Sequence, residues 1–202
     1  MRHTKFRRWN VSGVLVVLAS LLAWPAIGIA QTVTGQAAAV QATVFGLLGG
    51  TTLGLANTGA LSGPTDALQA SQLTGNLLGA LTAEAPSATT IGYPDQVDSA
   101  ASLANLALSI AGSTIGADLL TSQASVSLNA GGAGSSSVSN LLLNGIPVPV
   151  TGAPNQTVSI PGGQMVINEQ LTSQTGIVVN ALHIFVGGVA DVVVGSAVAG
   201  IQ

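Results

Sequence analysis

The sequence predicts an all-β fold: an antiparallel β-sandwich-like single domain over residues 31–202, preceded by a secretory signal peptide over residues 1–30. Three observations predict it. Short runs alternate apolar residues with Ser, Thr, Asn or Gln, the period of a half-buried strand. Gly, Pro and Asn punctuate those runs, with Asn144-Gly145 and Gly187-Gly188 as clear turn pairs. Many short strands joined in this way suit a sandwich. The alternative, a β-solenoid, requires a fixed repeat of roughly 20–30 residues, and no such period is present.

The first element is the signal. All 4 basic side chains, Arg2, Lys5, Arg7 and Arg8, precede an apolar run from Val11 to Ala23. Trp24-Pro25 breaks any helix, because proline removes a backbone donor and clashes with the preceding turn. Gly28 and Ala30 supply the small residues of a peptidase site, so cleavage is expected between Ala30 and Gln31. The apolar run is shorter than the roughly 20 residues that span a bilayer, so no stable transmembrane anchor is expected after cleavage. Trp9-Asn10-Val11 matches the twin-arginine pattern poorly, which favours general secretion.

Beyond the signal the chain carries seven acids (Asp66, Glu84, Asp95, Asp98, Asp118, Glu169, Asp191), one histidine (His183) and no Lys or Arg. Nucleic acid is excluded as a natural partner, since phosphate binding depends on Lys and Arg. Ordinary salt bridges, lysine isopeptide cross-links and Schiff bases are excluded with it. Both tryptophans lie in the signal, leaving Phe45, Tyr93 and Phe185, which counts against an aromatic platform for sugars. Cysteine is absent, so burial must stabilise an exported protein without disulfides or thiolate metal sites. With 48% hydrophobic and 5% charged residues the chain should fold rather than stay disordered.

Strands are expected at Val33–Phe45, Leu106–Ile110, Ser122–Leu128, Ser139–Leu143, Ile146–Val150, Thr157–Ile160, Gln164–Asn168, Ile177–Val186 and Ala190–Ala199. Asn144-Gly145 fits a two-residue type I′ turn, which needs positive φ at both positions. Gly162-Gly163 after Pro161 reads similarly, and Gly187-Gly188 should turn the chain between the last two strands. In the stretch Leu73–Ala104, Ala and Leu support a short helix near Ser99–Leu106, while flanking Ser, Gly and β-favouring residues oppose it. Gly131–Ser137, GGAGSSS, reads as a flexible loop. Ala and Gly on strand faces should let sheets or neighbouring backbones approach closely.

The C-terminal half carries a resemblance. NLLLNGIPVPV (Asn140–Val150), PNQTVSIPGG (Pro154–Gly163) and MVINEQ (Met165–Gln170) are followed by GIVVNALHIFV (Gly176–Val186) and DVVVGSAVAGI (Asp191–Ile201). In this order they resemble the bacterial choice-of-anchor P family of exported proteins, over about a third of the chain. The resemblance implies a secreted or cell-surface domain, often followed by a C-terminal sorting signal, with no defining enzymatic activity. This sequence ends at Gln202 without such a signal, so release or non-covalent retention is expected.

His183 is the focus of any chemistry. Strict alternation places Val179, Ala181, His183 and Phe185 on one strand face, and Asn180, Leu182, Ile184 and Val186 on the other. A functional histidine would be a general base or metal ligand with Glu169 or Asp191 nearby. The favoured reading is a half-buried histidine whose nitrogens bond to backbone or Asn. Glu169, within Asn168-Glu169-Gln170, could bind loop amides or form half of a carboxylate pair. Asp95 and Asp98 beside Tyr93-Pro94 offer another pair, but YPDQVD lacks the order of an EF-hand loop, and an exposed turn is favoured. Asn155-Gln156-Thr157 matches a glycosylation sequon and is read as a turn.

G-x-S-x-G, P-loop and dinucleotide motifs are missing, and any Ser–His–Asp triad would have to use His183. No catalytic residue, cofactor or metal site is therefore assigned. The expected role is structural or interactive at the cell exterior. Three kinds of partner stay open: a surface glycan (with Tyr93 as a contact), a protein, or another copy of the chain through exposed strand edges. A carboxylate-based hydrolase is the remaining alternative.

Overall fold

Alternating polar and apolar residues become fourteen antiparallel strands in a computed structural model that describes residues 31–46 and 49–202. The predicted cleavage point at Ala30 and the signal lie outside the described residues. No helix occurs among those described, so none there is long and apolar enough to cross a membrane.

The six-stranded sheet comprises β1 (Val33–Gly46), β2 (Gly49–Asn57), β11 (Gln156–Ile160), β12 (Gly163–Thr172), β13 (Gly176–Val186) and β14 (Ala190–Ile201), in the order β11-β12-β13-β14-β1-β2. The eight-stranded sheet comprises β3 (Ala67–Ser71), β4 (Thr74–Leu77), β5 (Leu81–Gly92), β6 (Gln96–Ile110), β7 (Ser113–Ser127), β8 (Gly131–Ser139), β9 (Leu142–Leu143) and β10 (Ile146–Pro147). Its order is β10-β9-β7-β6-β5-β3, with β4 also on β5 and β8 also on β7. The chain starts in the first sheet, builds all of the second, and returns. Residues 31–202 thereby form one compact unit, a β-sandwich-like fold in which first and last strands pair along Ala37↔Ala197.

Local turn chemistry accounts for most connections. Asn144 and Gly145 have φ of 52° and 76° between paired Leu143 and Ile146, the expected type I′ turn. The turn between β11 and β12 is shifted by one residue from expectation. Ile160 pairs with Gly163, so Pro161-Gly162 makes the turn and Gly163 begins the strand. A side chain at Gly163 would collide with the carbonyl of Phe185. The expected strands Ser139–Leu143 and Ile146–Val150 are shorter than predicted, because Asn140 turns left-handed (φ 51°) and proline recurs after Ile146.

Two further expectations are corrected. Ser99–Leu106 is not helical but central to β6, where Val97, Ser99, Ala101 and Leu103 point inward in alternation. The alanines there serve close packing rather than helix formation: Ala37, Ala88 and Ala101 cluster between the sheets. Beside them Ser99 Oγ donates to the Val198 carbonyl across the sandwich at 2.6 Å and accepts from Thr90 Oγ1 at 2.8 Å. GGAGSSS is not a flexible loop but most of β8, paired with β7 from Leu119↔Ser139 to Ser127↔Gly131. Two of its glycines, Gly132 and Gly134, are required by β13. A Cβ at Gly134 would lie 2.3 Å from Val179 Cγ2, and one at Gly132 2.9 Å from Ile177 Cβ.

Side chains change face at one level of the sheets. Ala38 pairs with Ser196 and Val40 with Val194, but Ala39 and Gly195 (φ 62°) between them do not pair. The same break separates Asn168 (φ 51°) from Ala181, and Asn105 (φ 48°) from Asp118. A left-handed residue interrupts the two-residue alternation, which restarts out of phase. The face assignment expected for β13 therefore fails at this level. Val179, Ala181, Leu182 and Ile184 are all fully buried, and His183 shares the outer face with Phe185 but not with Val179 or Ala181. The core divides accordingly into a larger cluster around Leu103, Leu120, Met165 and Leu182 and a smaller one around Val97, Val126, Val179 and Ala199.

Candidate functional site

Three strands bring the candidate site together on the outer face of the six-stranded sheet. His183 on β13 lies opposite Val166 of β12 and Val193 of β14. Asp191 faces Phe185, two residues along β13, and Glu169 faces Asn180 across the level where faces change. Side chains diagonal across neighbouring strands come within reach of one another. Nδ1 of His183 lies 2.9 Å from both Oε1 and Oε2 of Glu169, and Nε2 lies 2.9 Å from Oδ1 of Asp191. Asn180 donates from Nδ2 to Glu169 Oε2 at 2.6 Å. The Oδ1 of Asn180 is buried without a partner.

The electrostatics follow from the contacts. A carboxylate can only accept, so facing both ring nitrogens to carboxylates favours the doubly protonated imidazolium. Burial opposes that charge and is the largest single influence on His183. The hydrogen bond and charge of Glu169, with the charge and hydrogen bond of Asp191, together outweigh it and raise the histidine above its ordinary value of 6.5. The expected backbone or Asn partners of His183 are thus replaced by two carboxylates. The exclusion of salt bridges holds for Lys and Arg alone, since the imidazolium makes two. Its nitrogens point apart, each already occupied, which is a clamp across three strands rather than a ligand set. Among the described residues no group of three or more His, Asp or Glu is arranged to hold a metal.

The other candidates fall elsewhere. Tyr93, exposed, occupies the turn between β5 and β6, where its N–H donates to the Gln96 carbonyl at 2.7 Å. Asp95 ties that turn to the next one, its carbonyl accepting from Leu128 N–H at 2.8 Å. Asp98 accepts from Gln96 Nε2 at 2.9 and 2.7 Å, and it lines a shallow groove of 540 Å³ on the outer face of the eight-stranded sheet. Hydroxyls dominate this face: Ser71, Ser87, Ser102, Thr121 and Ser137 lie in one row across five strands. Asn155, the sequon residue, is turned left-handed (φ 60°), and its side chain is bonded to the backbone of Gln170.

A pattern joins the acids. Glu84 accepts from Asn105 at 2.7 Å, Asp118 from Asn140 at 2.5 Å, and Asp66 from Ser62 N–H and Oγ at 2.9 and 2.8 Å. Those Ser62 hydrogen bonds hold Asp66 below its ordinary value. In a chain without Lys or Arg beyond position 8, amides, hydroxyls and one imidazole do the work of counter-charges. Sequence reasoning missed Asn105, Asn140 and Asn180 in this role. Fold and site together define an all-β sandwich-like protein in which six of the seven acids, all but Asp95, are hydrogen-bonded within its own structure. No protein-family model matches the chain, and neither a curated protein nor a solved structure matches it.

Proposed function

We propose that this chain is an exported bacterial protein with a structural or interaction role at the cell exterior and no catalytic chemistry, similar in kind to choice-of-anchor P domains. The observation that supports this best is the occupation of its carboxylates. Glu169 and Asp191, the two acids brought nearest to a common group, are bridged by His183 instead of opening onto a cleft. A glycosidase needs one acid free to protonate and another free to attack or to activate water. The basic, apolar and small-residue succession of positions 1–30 supports export.

The second reading is an extracellular binding module that takes a neutral, hydroxyl-rich ligand on the outer face of the eight-stranded sheet, where Thr89, Asp98, Gln123, Ser125 and Ser135 line the groove. One preparation tests both readings. Protein collected from the culture medium is expected to begin at Gln31, to leave a panel of glycosides uncleaved and to give no signal on a glycan array. A start at Met1 sinks export, and turnover sinks the non-catalytic role. Array binding lost on Asp98→Asn or Tyr93→Ala moves the conclusion to the binding module.

A further inference from the structure

Cleavage between Ala30 and Gln31 makes a glutamine the first residue of the exported chain. The fold gives that residue a defined place. Thr32 is the first residue tied into the six-stranded sheet: its N–H donates to the Gln202 carbonyl at 3.0 Å, and its carbonyl accepts from Gln202 N–H at 2.9 Å. Val33 then opens β1 opposite Ile201. Gln31 stands one residue outside this ladder and is half-buried. Hydrogen bonds to one antiparallel neighbour fall on alternate residues, so the nitrogen of Gln31 points away from β14 when that of Thr32 points toward it. A covalent change at this nitrogen therefore breaks no bond of the β1–β14 ladder.

We infer that Gln31 is a modification site, closed in the exported protein into a pyroglutamate lactam by its own amine; the inference rests on the proposed cleavage. The step balances within one residue. The neutral α-amine attacks the side-chain amide carbon Cδ and a C–N bond forms. The bond from Cδ to Nε2 breaks, and that nitrogen leaves as ammonia with the proton the amine gives up. No oxidant, reductant or second substrate is required. An α-amine ordinarily titrates at about 7.7–8.0, so part of it is already the neutral nucleophile near neutral pH. Two consequences are particular to this chain. Its only lysine, Lys5, departs with the signal, so the amine of Gln31 is the one amine of the exported protein, and the lactam removes it. His183, held between Glu169 and Asp191, is then the only group able to carry positive charge. The second consequence comes from the ladder. An aminopeptidase needs a free amine on a chain end that can be drawn away, and here the amine is gone and Thr32 is bonded twice to Gln202.

Mass spectrometry of protein collected from the culture medium tests the lactam and the cleavage separately. The first peptide is expected to begin at Gln31 and to be lighter than its sequence by one ammonia. A first peptide that begins at Gln31 with its full mass overturns the lactam and leaves the cleavage standing. One that begins at Met1, or at any other residue, overturns the cleavage reading, and the lactam falls with it. Labelling of the intact protein with a biotin N-hydroxysuccinimide ester, before any digestion, guards against a ring formed during handling. The exported protein should take up no label, because the ring leaves it without an amine. Exported Gln31→Ala cannot form the ring, so it should take up one label at its amino terminus. Equal labelling of the two proteins would overturn the inference.

Discussion

At the scale of single residues, His183 couples stability to pH. Its protonated ring joins Glu169 and Asp191, and its folded value lies above the unfolded value of 6.5. The sign follows from linkage. A histidine raised by folding contributes its full stabilisation below about pH 6.5, and the contribution is lost as pH rises through the raised folded value. The ring is 26% exposed, so solvent screening keeps the effect near about 1 kcal/mol or less. The melting temperature is therefore expected to decline as pH rises from 6.5 upward. His183→Gln can engage one carboxylate at most, so it should melt lower at acidic pH and flatten that decline. A variant whose pH profile superimposes on that of the original chain would show that the bridge contributes nothing.

At the scale of elements, β8 shows how one strand's composition can be dictated by another. Gly134 is glycine because Val179 fills the space where its Cβ would stand. Gly134→Ala is expected to cost about 1–3 kcal/mol by overpacking. Val179→Ala should also destabilise alone, yet the double variant should lose less than the two costs combined, because the methyl then occupies vacated space. Exposed Ser135→Ala beside it should stay within about 0.5 kcal/mol, as surface changes do. Chemical denaturation measures all four, and a neutral Gly134→Ala would return this segment to the status of a flexible loop.

The same strand marks where the sequence ceases to be readable. Hairpins with local signatures, such as Asn144-Gly145, and the alternating strands β1, β13 and β14 were legible because their determinants are adjacent in the chain. Two things were not. Gly132 and Gly134 of β8 answer to side chains on a strand distant in sequence, and the change of face depends on left-handed residues such as Asn168 and Ala85 that carry no reliable mark. The site divides similarly. Asp191 follows from the β13–β14 hairpin, whose turn places it diagonally from His183. Glu169 requires the register of β12, and Asn180 requires knowing that alternation breaks beside it.

At the scale of the whole molecule, the replacement of bases by amides and hydroxyls sets the response to salt. Two electrostatic contributions remain, and they have opposite signs. The His183 bridge is attractive, and screening weakens it. The acids repel one another, and screening, with a Debye length of about 10 Å at 0.1 M salt, relieves that repulsion. Hydrogen bonds such as Asn105 to Glu84 and Ser99 to Val198 are short-ranged and respond to salt much less. Below pH 6.5, with the bridge formed, moderate NaCl should therefore lower the melting temperature slightly or leave it unchanged. Well above the raised histidine value the bridge is gone, and the same salt should raise it slightly. Both shifts should be smaller than in an ion-paired sandwich of equal size, and His183→Gln should abolish the reversal by leaving only the repulsive contribution. Thermal melts followed by circular dichroism at two pH values and several NaCl concentrations check this. A steep fall with NaCl at alkaline pH would mean that attractive ionic contacts other than the histidine bridge hold the fold together.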